Sequence, residues 1–296
     1  MNAQQRSAAP LDVAAIRARH PAAFRPLPRS RLLALAVLSG ALGLLAFGVW
    51  RLELSPGRFA GGMGQLGGFL LLMVPPDPGS WPRFLLILRG LGETVAIAFL
   101  GTLLAAALAL PLGLLAARNT TLHGVVRFAS RRALDGIRGV DALIWALIWI
   151  GVVGLGPFAG VLAIMTSDIG TFGRLFSDAL EAADRRPVEG VAAAGGGALA
   201  RLRFGVLPQA LPVMAGQALY MFESNTRSST IIGIVGAGGI GLHLAEMIRT
   251  LEWQAVSCIV LLVLAVVAAI DAASARLRAA ITGGPSAAPT AKEANP

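Results

Sequence analysis

Three stretches of this chain hold residues whose types and spacing could do chemistry. Glu223, Asn225, Arg227, Ser228, Ser229 and Thr230 crowd together directly after an apolar run. Charge at the edge of a membrane is costly unless it lines water or is paired, and the planar donors of Arg227 suit an oxyanion. The competing arrangement pairs Glu223 with Arg227, four residues apart on one helix face. A second stretch, Gly236-Ala237-Gly238-Gly239-Ile240-Gly241, fits the glycine pattern of a dinucleotide-binding turn. That fold also wants an acidic residue about twenty positions on, where this chain reads Leu261-Leu262-Val263-Leu264, and the sequence offers no Lys-Ser/Thr of a phosphate-binding loop. Gly233, Gly236, Gly238, Gly239 and Gly241 are therefore read as positions of close helix approach, or of a non-helical turn that lines a cavity as pore or gate backbone. The third stretch, 189 to 208, is a polar, helix-forming island between long apolar runs, and it contains Glu189, Arg201 and Arg203. His243 and Glu246 lie three apart, but His20 and His123 are distant in sequence, so no metal site is expected. The single cysteine, Cys258, excludes an intrachain disulfide.

The elements that must position these residues belong to a bilayer. Hydrophobic residues make up 55% of the 296 and charged residues 14%, with a mean hydropathy of +0.71, too apolar for a soluble domain of this length. The formal charge of +9 does not point to nucleic acid, because Lys and Arg cluster just outside apolar segments rather than on a face interleaved with aromatics. The first apolar segment, 31 to 50, follows Arg6, Arg17, Arg19, Arg25, Arg29 and Arg31 and ends in Val49-Trp50-Arg51, the pattern of an uncleaved anchor. From 51 to 83 the chain is rich in Gly and Pro, with a breaker at Pro75-Pro76-Asp77-Pro78-Gly79, and its apolar part near Phe69 to Val74 is too short to span. Further apolar segments run from Phe84 or Glu93 to Ala117, from Val140 past Ile150, from Phe158 fading toward Arg174, from Pro208 to Phe222, and from Trp253 to Ile270. A loop bearing Arg127, Arg131, Arg132 and Arg138 precedes the third, and Gly154-Leu155-Gly156-Pro157 separates the third from the fourth. Asp141 and Glu93 read as interfacial or helix-start residues.

The expectation is an all-α polytopic membrane protein of about six transmembrane helices. It has a cytoplasmic segment at 1–30, an N-terminal helix and external segment at 31–83, a main transmembrane domain at 84–282 with the island in loop 181–208, and a disordered tail at 283–296. Orientation follows from Lys and Arg, which resist translocation. The N-terminus, the 118–138 loop, the 174–203 region and Arg276 to Arg278 are the basic regions. Six spans put all four on one side, with both termini and the island in the cytoplasm.

The island reads as a short helix: Pro187 in its first turn, Glu189 near the positive end of the helix dipole, small residues through Ala193, and Gly195 to Gly197 to end it. Small residues on a short helix suit close packing into a groove of another protein. The spacing resembles the cytoplasmic loop of bacterial ABC importer permeases, which reads Glu-Ala-Ala, a Gly after three more residues, then nine residues, an aliphatic, one residue and Leu-Pro. Here Glu189-Gly190-Val191 takes the triplet, Gly195 the glycine, and Leu207-Pro208 the end, while Gly205 stands where the aliphatic is expected. Pro111 to Asn119, Trp145 to Ile148, Gly154 to Ala163 and Ser228 to Gly241 are similar to the phosphonate-importer branch of the type I fold. Val235-Gly236-Ala237-Gly238-Gly239-Ile240-Gly241 is shared with the methionine branch, whereas Glu223-Ser224-Asn225-Thr226-Arg227 favours phosphonate.

This resemblance implies a type I permease fold with an extra N-terminal helix in the bacterial inner membrane. Its implied partners are a second, identical permease, a cytoplasmic ATPase dimer that binds ATP and Mg, and a periplasmic or lipid-anchored binding protein; the chain itself would carry no cofactor and catalyse nothing. It implies ATPase coupling through Glu189, Gly190, Ala193, Gly195, Arg201, Arg203, Leu207 and Pro208, and a substrate path through Glu223, Asn225, Arg227, Ser228, Ser229 and Thr230. Other readings are a methionine-type or other small-solute permease, a membrane scaffold, and an intramembrane enzyme, which would need converging catalytic side chains.

Overall fold

The spine of the molecule is a helix whose buried positions are mostly small. In the computed structural model, which describes residues 29–53, 55–121 and 123–282, helix α3 spans Trp81–Ala116. Ser80 caps it, accepting from Arg83 N, and Pro82 occupies its first turn, where a missing N–H costs nothing. Its buried stripe of Gly90, Thr94, Ala98, Gly101, Ala105, Ala109, Gly113 and Ala116 steps by three or four residues, with Thr102 buried beside it, so that neighbouring helices approach closely. At 36 residues it is about 54 Å long, well beyond a hydrocarbon core.

Every regular element among the described residues is helical. Ahead of α3 come α1 (Arg29–Arg51) and α2 (Pro56–Leu72). After it come α4 (Gly124–Arg138), α5 (Ala142–Val153), α6 (Pro157–Glu181) and α7 (Arg185–Ala193). A helical turn at Ala198–Ala200 and a π-helical stretch at Arg201–Val206 lead into α8 (Leu207–Ile234), then α9 (Ile240–Arg249) and α10 (Trp253–Thr282). The chain divides into two compact units at Phe69–Leu70. Residues 73–83, grouped in sequence with the external segment, are tied into the second unit: Ser257 Oγ donates to Met73 O (2.6 Å), Asp77 N to Gln254 O (3.2 Å), and Arg83 pairs with Glu252 (2.5 Å). The expectations for 1–28 and for the tail at 283–296 lie outside the described residues.

Three apolar clusters are staged along α3. Ile87 and Leu91 pack with Ile240, Met247, Val256 and Ile259 at one end. Ile97 meets Ala146, Val161, Ile164, Ile232 and Ala237 in the middle. Ala105 and Ala109 meet Phe172, Phe176, Leu180, Val206 and Met214 toward the other end, where the island departs.

Several segments differ from the sequence-based reading. The stretch after α1 is helical as α2 despite six glycines, each costing about 1 kcal/mol relative to Ala; Pro56 starts it, and Ser55 Oγ accepts from Arg58 N. The expected arginine loop is helix α4, whose charged residues conceal it from a search for apolar runs. Helix α6 does not fade at Arg174 but continues to Glu181, because Arg174, Asp178 and Glu181 face partners on α4. Among the described residues three helices, α1, α3 and α10, are long and apolar enough to cross a membrane, and a fourth span results if α4 and α5, bent by 87°, count as one. Helices α6 and α8 have the length but carry charge, and α5 alone, at 12 residues, is about 18 Å long and too short. The number six is therefore not reproduced by length and composition.

Candidate functional site

The island is a helix held at its root. Asp184 caps α7, its carboxylate accepting from Arg186 N at 3.1 Å, which uses one of the four free donors of a helix start. Pro187 sits in the first turn, Glu189 in the second, and Gly195 ends the element at φ +83, where L side chains are strained. Glu189, Gly190, Ala193, Gly195, Arg201, Arg203 and Pro208 are all exposed, and Leu207 is half-buried. The eight residues assigned to coupling thus share one end of the molecule and lie mostly open to a partner.

The glycine that stands in place of the expected aliphatic has a local reason. A Cβ on Gly205 would fall 2.9 Å from Val188 Cα and Cγ2, so an aliphatic side chain there would push α7 off the π-helical stretch. The two ends of the loop are joined by Gln209, which sequence reasoning missed. Its Nε2 donates to Gly205 O (2.6 Å) and Asp184 O (3.2 Å), and its Oε1 accepts from Asp184 N (2.9 Å). Two exposed apolar residues join the basic ones on this surface: Leu199, 78% exposed, and Phe204, over whose ring the Arg203 guanidinium lies at 5.4 Å. Beside them a groove of about 940 Å³ runs between Asn119, Thr120, Arg185, Glu189, Leu199 and Arg201.

Beneath the loop, ion pairs fasten the helix ends together. Glu181 Oε1 accepts from Arg131 Nη2 and from Arg118 N, each at 2.7 Å, with Arg127 at 3.8 Å. Arg131 Nε donates to Ala116 O (3.0 Å), and Asn119 Nδ2 to Leu180 O (2.6 Å). Arg174 bridges Asp178 and Asp135. The arginines that mark this region as basic therefore also join α3, α4 and α6 where the island begins.

The six residues assigned to a substrate path divide between faces of α8. Asn225 and Ser229 are buried in helix packing, Ser228 and Thr230 are half-buried, and Arg227 faces outward with 47% of its side chain exposed. Arg227 pairs with Glu223 at 3.5 Å, the alternative arrangement weighed above, and also with Asp271 at 3.7 Å; Glu223 is in turn 3.5 Å from Arg278. Asn225 has a partner that was not foreseen. Its Nδ2 donates to Asp168 Oδ2 (2.5 Å) and Thr102 Oγ1 (2.8 Å), linking α3, α6 and α8 through one amide. An acidic residue in the middle of an apolar stretch, Ala163 to Phe172, was the available signal.

The glycine motif forms a turn between two helices rather than a strand-to-helix junction. Gly236, Gly238 and Gly239 have φ of +105, +83 and +73, and the turn lies against α3 and the α5–α6 junction. Thr94 Oγ1 accepts from Ile240 N (2.8 Å), and Gly156 N donates to Gly236 O (3.0 Å). Asp141 caps α5, accepting from Leu143 N, while Glu93 lies within α3 instead of at a helix start.

With this geometry in place, relatives define the class. The chain belongs to the family described as binding-protein-dependent transport system inner membrane component, which matches residues 109–283. HtxC of Stutzerimonas stutzeri, provisionally named a phosphite transport system permease protein, is 38% identical over 80% of this chain and 83% of its own length. PtxC of the same species, a phosphite transport system permease protein, is 39% identical over 69% of this chain and 74% of its own. The phosphate-import permease protein PhnE of Mycolicibacterium smegmatis is 39% identical over 71% of this chain and 39% of its own. The fold matches the inward-facing MetNI methionine ABC transporter with a TM-score of 0.59, at 22% identity over 68% of this chain and 99% of that one. The protein is an all-α type I ABC importer permease, a multi-pass inner-membrane transport component rather than an enzyme.

Proposed function

We propose that this chain is the permease of an ATP-driven importer of phosphite, phosphonate or a related phosphorus oxyanion, coupled to a cytoplasmic ATPase through α7. The observation that carries the coupling role is a helix exposed along Glu189, Gly190 and Ala193 whose root at Asp184 is stapled to α8 by Gln209. A force applied to such a helix passes into the transmembrane helices instead of dissipating in a slack loop. ATP and Mg belong to the ATPase, and Arg201 and Arg203 supply polar contacts to it. The substrate class is supported by relatives named for phosphite and phosphate transport. A periplasmic or lipid-anchored binding protein delivers the anion, and a second, identical copy of the chain completes the pore.

Glu189→Lys and Gly195→Asp are expected to abolish uptake of phosphite or methylphosphonate by cells carrying the whole system, while the permease remains in the membrane at normal abundance. Normal uptake by both variants would remove the coupling assignment. Competition between these anions and methionine for uptake decides between the phosphorus-oxyanion and methionine-type readings.

A further inference from the structure

Helix α8 carries an outward stripe that lipid alone would cover badly. Val213, Gln217, Tyr220, Ser224, Arg227, Ile231 and Ile234 step by three and four residues along one face. Val213, Tyr220, Arg227, Ile231 and Ile234 are exposed, and Gln217 and Ser224 are partly so. Asn225, Thr226, Ser229 and Ile232, on other faces, are buried among the neighbouring helices. The stripe is polar only in its middle: Gln217 to Arg227 covers about 15 Å of helix, with Val213 on one side and Ile231 and Ile234 on the other. Ionisable and polar side chains within membrane helices face a water-filled cavity or the bundle interior rather than lipid, even when paired as Arg227 is with Glu223 and Asp271, so such a face is placed against water or protein.

We propose that Gln217, Tyr220, Ser224 and Arg227 line the water-filled path of the transported phosphorus oxyanion, with Val213 and the Ile231–Ile234 pair as apolar constrictions at its two ends. The proposal rests on the reading of the chain as a phosphorus-oxyanion permease. The stripe provides donors suited to such an anion: the amide of Gln217, the hydroxyls of Tyr220 and Ser224, and the guanidinium of Arg227. Arg227 is flanked by Glu223 and Asp271, and Arg278 meets Glu223, so two arginines and two carboxylates compensate one another. The anion therefore meets directional donors without a strong net positive field. This suits a path, where binding must be weak enough to release.

Single cysteines placed in a Cys258→Ser background, in the complete importer reconstituted in liposomes, test the stripe. Gln217→Cys, Tyr220→Cys and Ser224→Cys are expected to react with both anionic and cationic methanethiosulfonates. Leu261→Cys, on the exposed apolar surface of α10, is expected to react with neither. Inorganic phosphite, phosphate or methylphosphonate well above its Kd should slow labelling of Ser224→Cys by about tenfold, as mass action requires of a shared site. Arg227→Gln should slow labelling of Ser224→Cys by the anionic reagent by about fivefold and speed labelling by the cationic one by about as much, the factor for one charge a few ångströms away in water, so that the ratio of the two rates falls by about 25-fold. Stripe cysteines no more reactive than Leu261→Cys, or reactive cysteines that none of the three anions protects, would overturn the proposal. Uptake of the same anions by the Cys258→Ser parent is measured separately, so that failure of the substrate class is told apart from failure of the stripe.

Discussion

Gly205 and Asp168 show how single residues carry consequences that their types do not announce. Gly205 stands where the family pattern has an aliphatic residue, yet its missing side chain is what lets Val188 of α7 lie against the π-helical stretch. Gly205→Leu is expected to destabilise this end by about 1–3 kcal/mol through overpacking, seen as a lower melting temperature in detergent and reduced ATPase co-purification; unchanged values in both would show that the contact is not needed. Asp168 is buried with Asn225 as its amide partner, and that amide also reaches Thr102. Interhelical hydrogen bonds in membranes average roughly 0.6 kcal/mol, whereas a buried polar group left without its partner costs about 1–3 kcal/mol. Asp168→Leu, which takes the acceptor from one Asn225 N–H and leaves only Thr102 as its partner, is therefore expected to lower thermal stability more than Asp168→Asn, which keeps an acceptor. Equal losses in the two variants would mean that the hydrogen bond contributes little.

At the scale of elements, α4 is the piece that apolar-run searching overlooks. It presents Arg131 to Glu181, Asp178 and Ala116 O, and Asp135 to Arg174, so it clamps α3 and α6 at the level where the island begins. Arg131 is only 16% exposed, so its pair with Glu181 is partly shielded from solvent. Arg131→Ala takes from the Glu181 carboxylate its 2.7 Å guanidinium partner, leaving Arg118 N, and is expected to cost roughly 1–3 kcal/mol. Uptake should fall while membrane insertion persists, and the ATP hydrolysed per anion transported should rise, because α7 is then anchored to a looser base. An unchanged ratio would assign the pair to stability alone. The bend of 87° between α4 and α5 has a similar logic: Asp141 caps α5 and restarts the helix in a new direction.

At the scale of the whole molecule, the positive residues predict an orientation across the membrane. A phosphatase reporter active only outside the cytoplasm should be silent when inserted at Gly196 or after Arg278, and active when inserted at Leu155 or Leu251. Activity at Gly196 would invert the orientation and sink the coupling role with it. The all-helical class, the membrane setting, the breaks at Gly154 to Pro157 and the position of the island were legible in the sequence, because hydropathy and helix punctuation are local properties read along the chain. The helical state of the glycine-rich 56–72 segment and of the arginine-rich 124–138 segment was not, since Gly content and charge mask helices whose partners lie elsewhere. The division of Glu223 to Thr230 into a buried face around Asn225 and an outward face around Arg227 was also decided only in three dimensions. So were the Gln209 staple and the Asp168–Asn225–Thr102 link, because each depends on residues 25 to 123 positions apart meeting in space, and a linear pattern does not specify which side of a helix its neighbours will occupy.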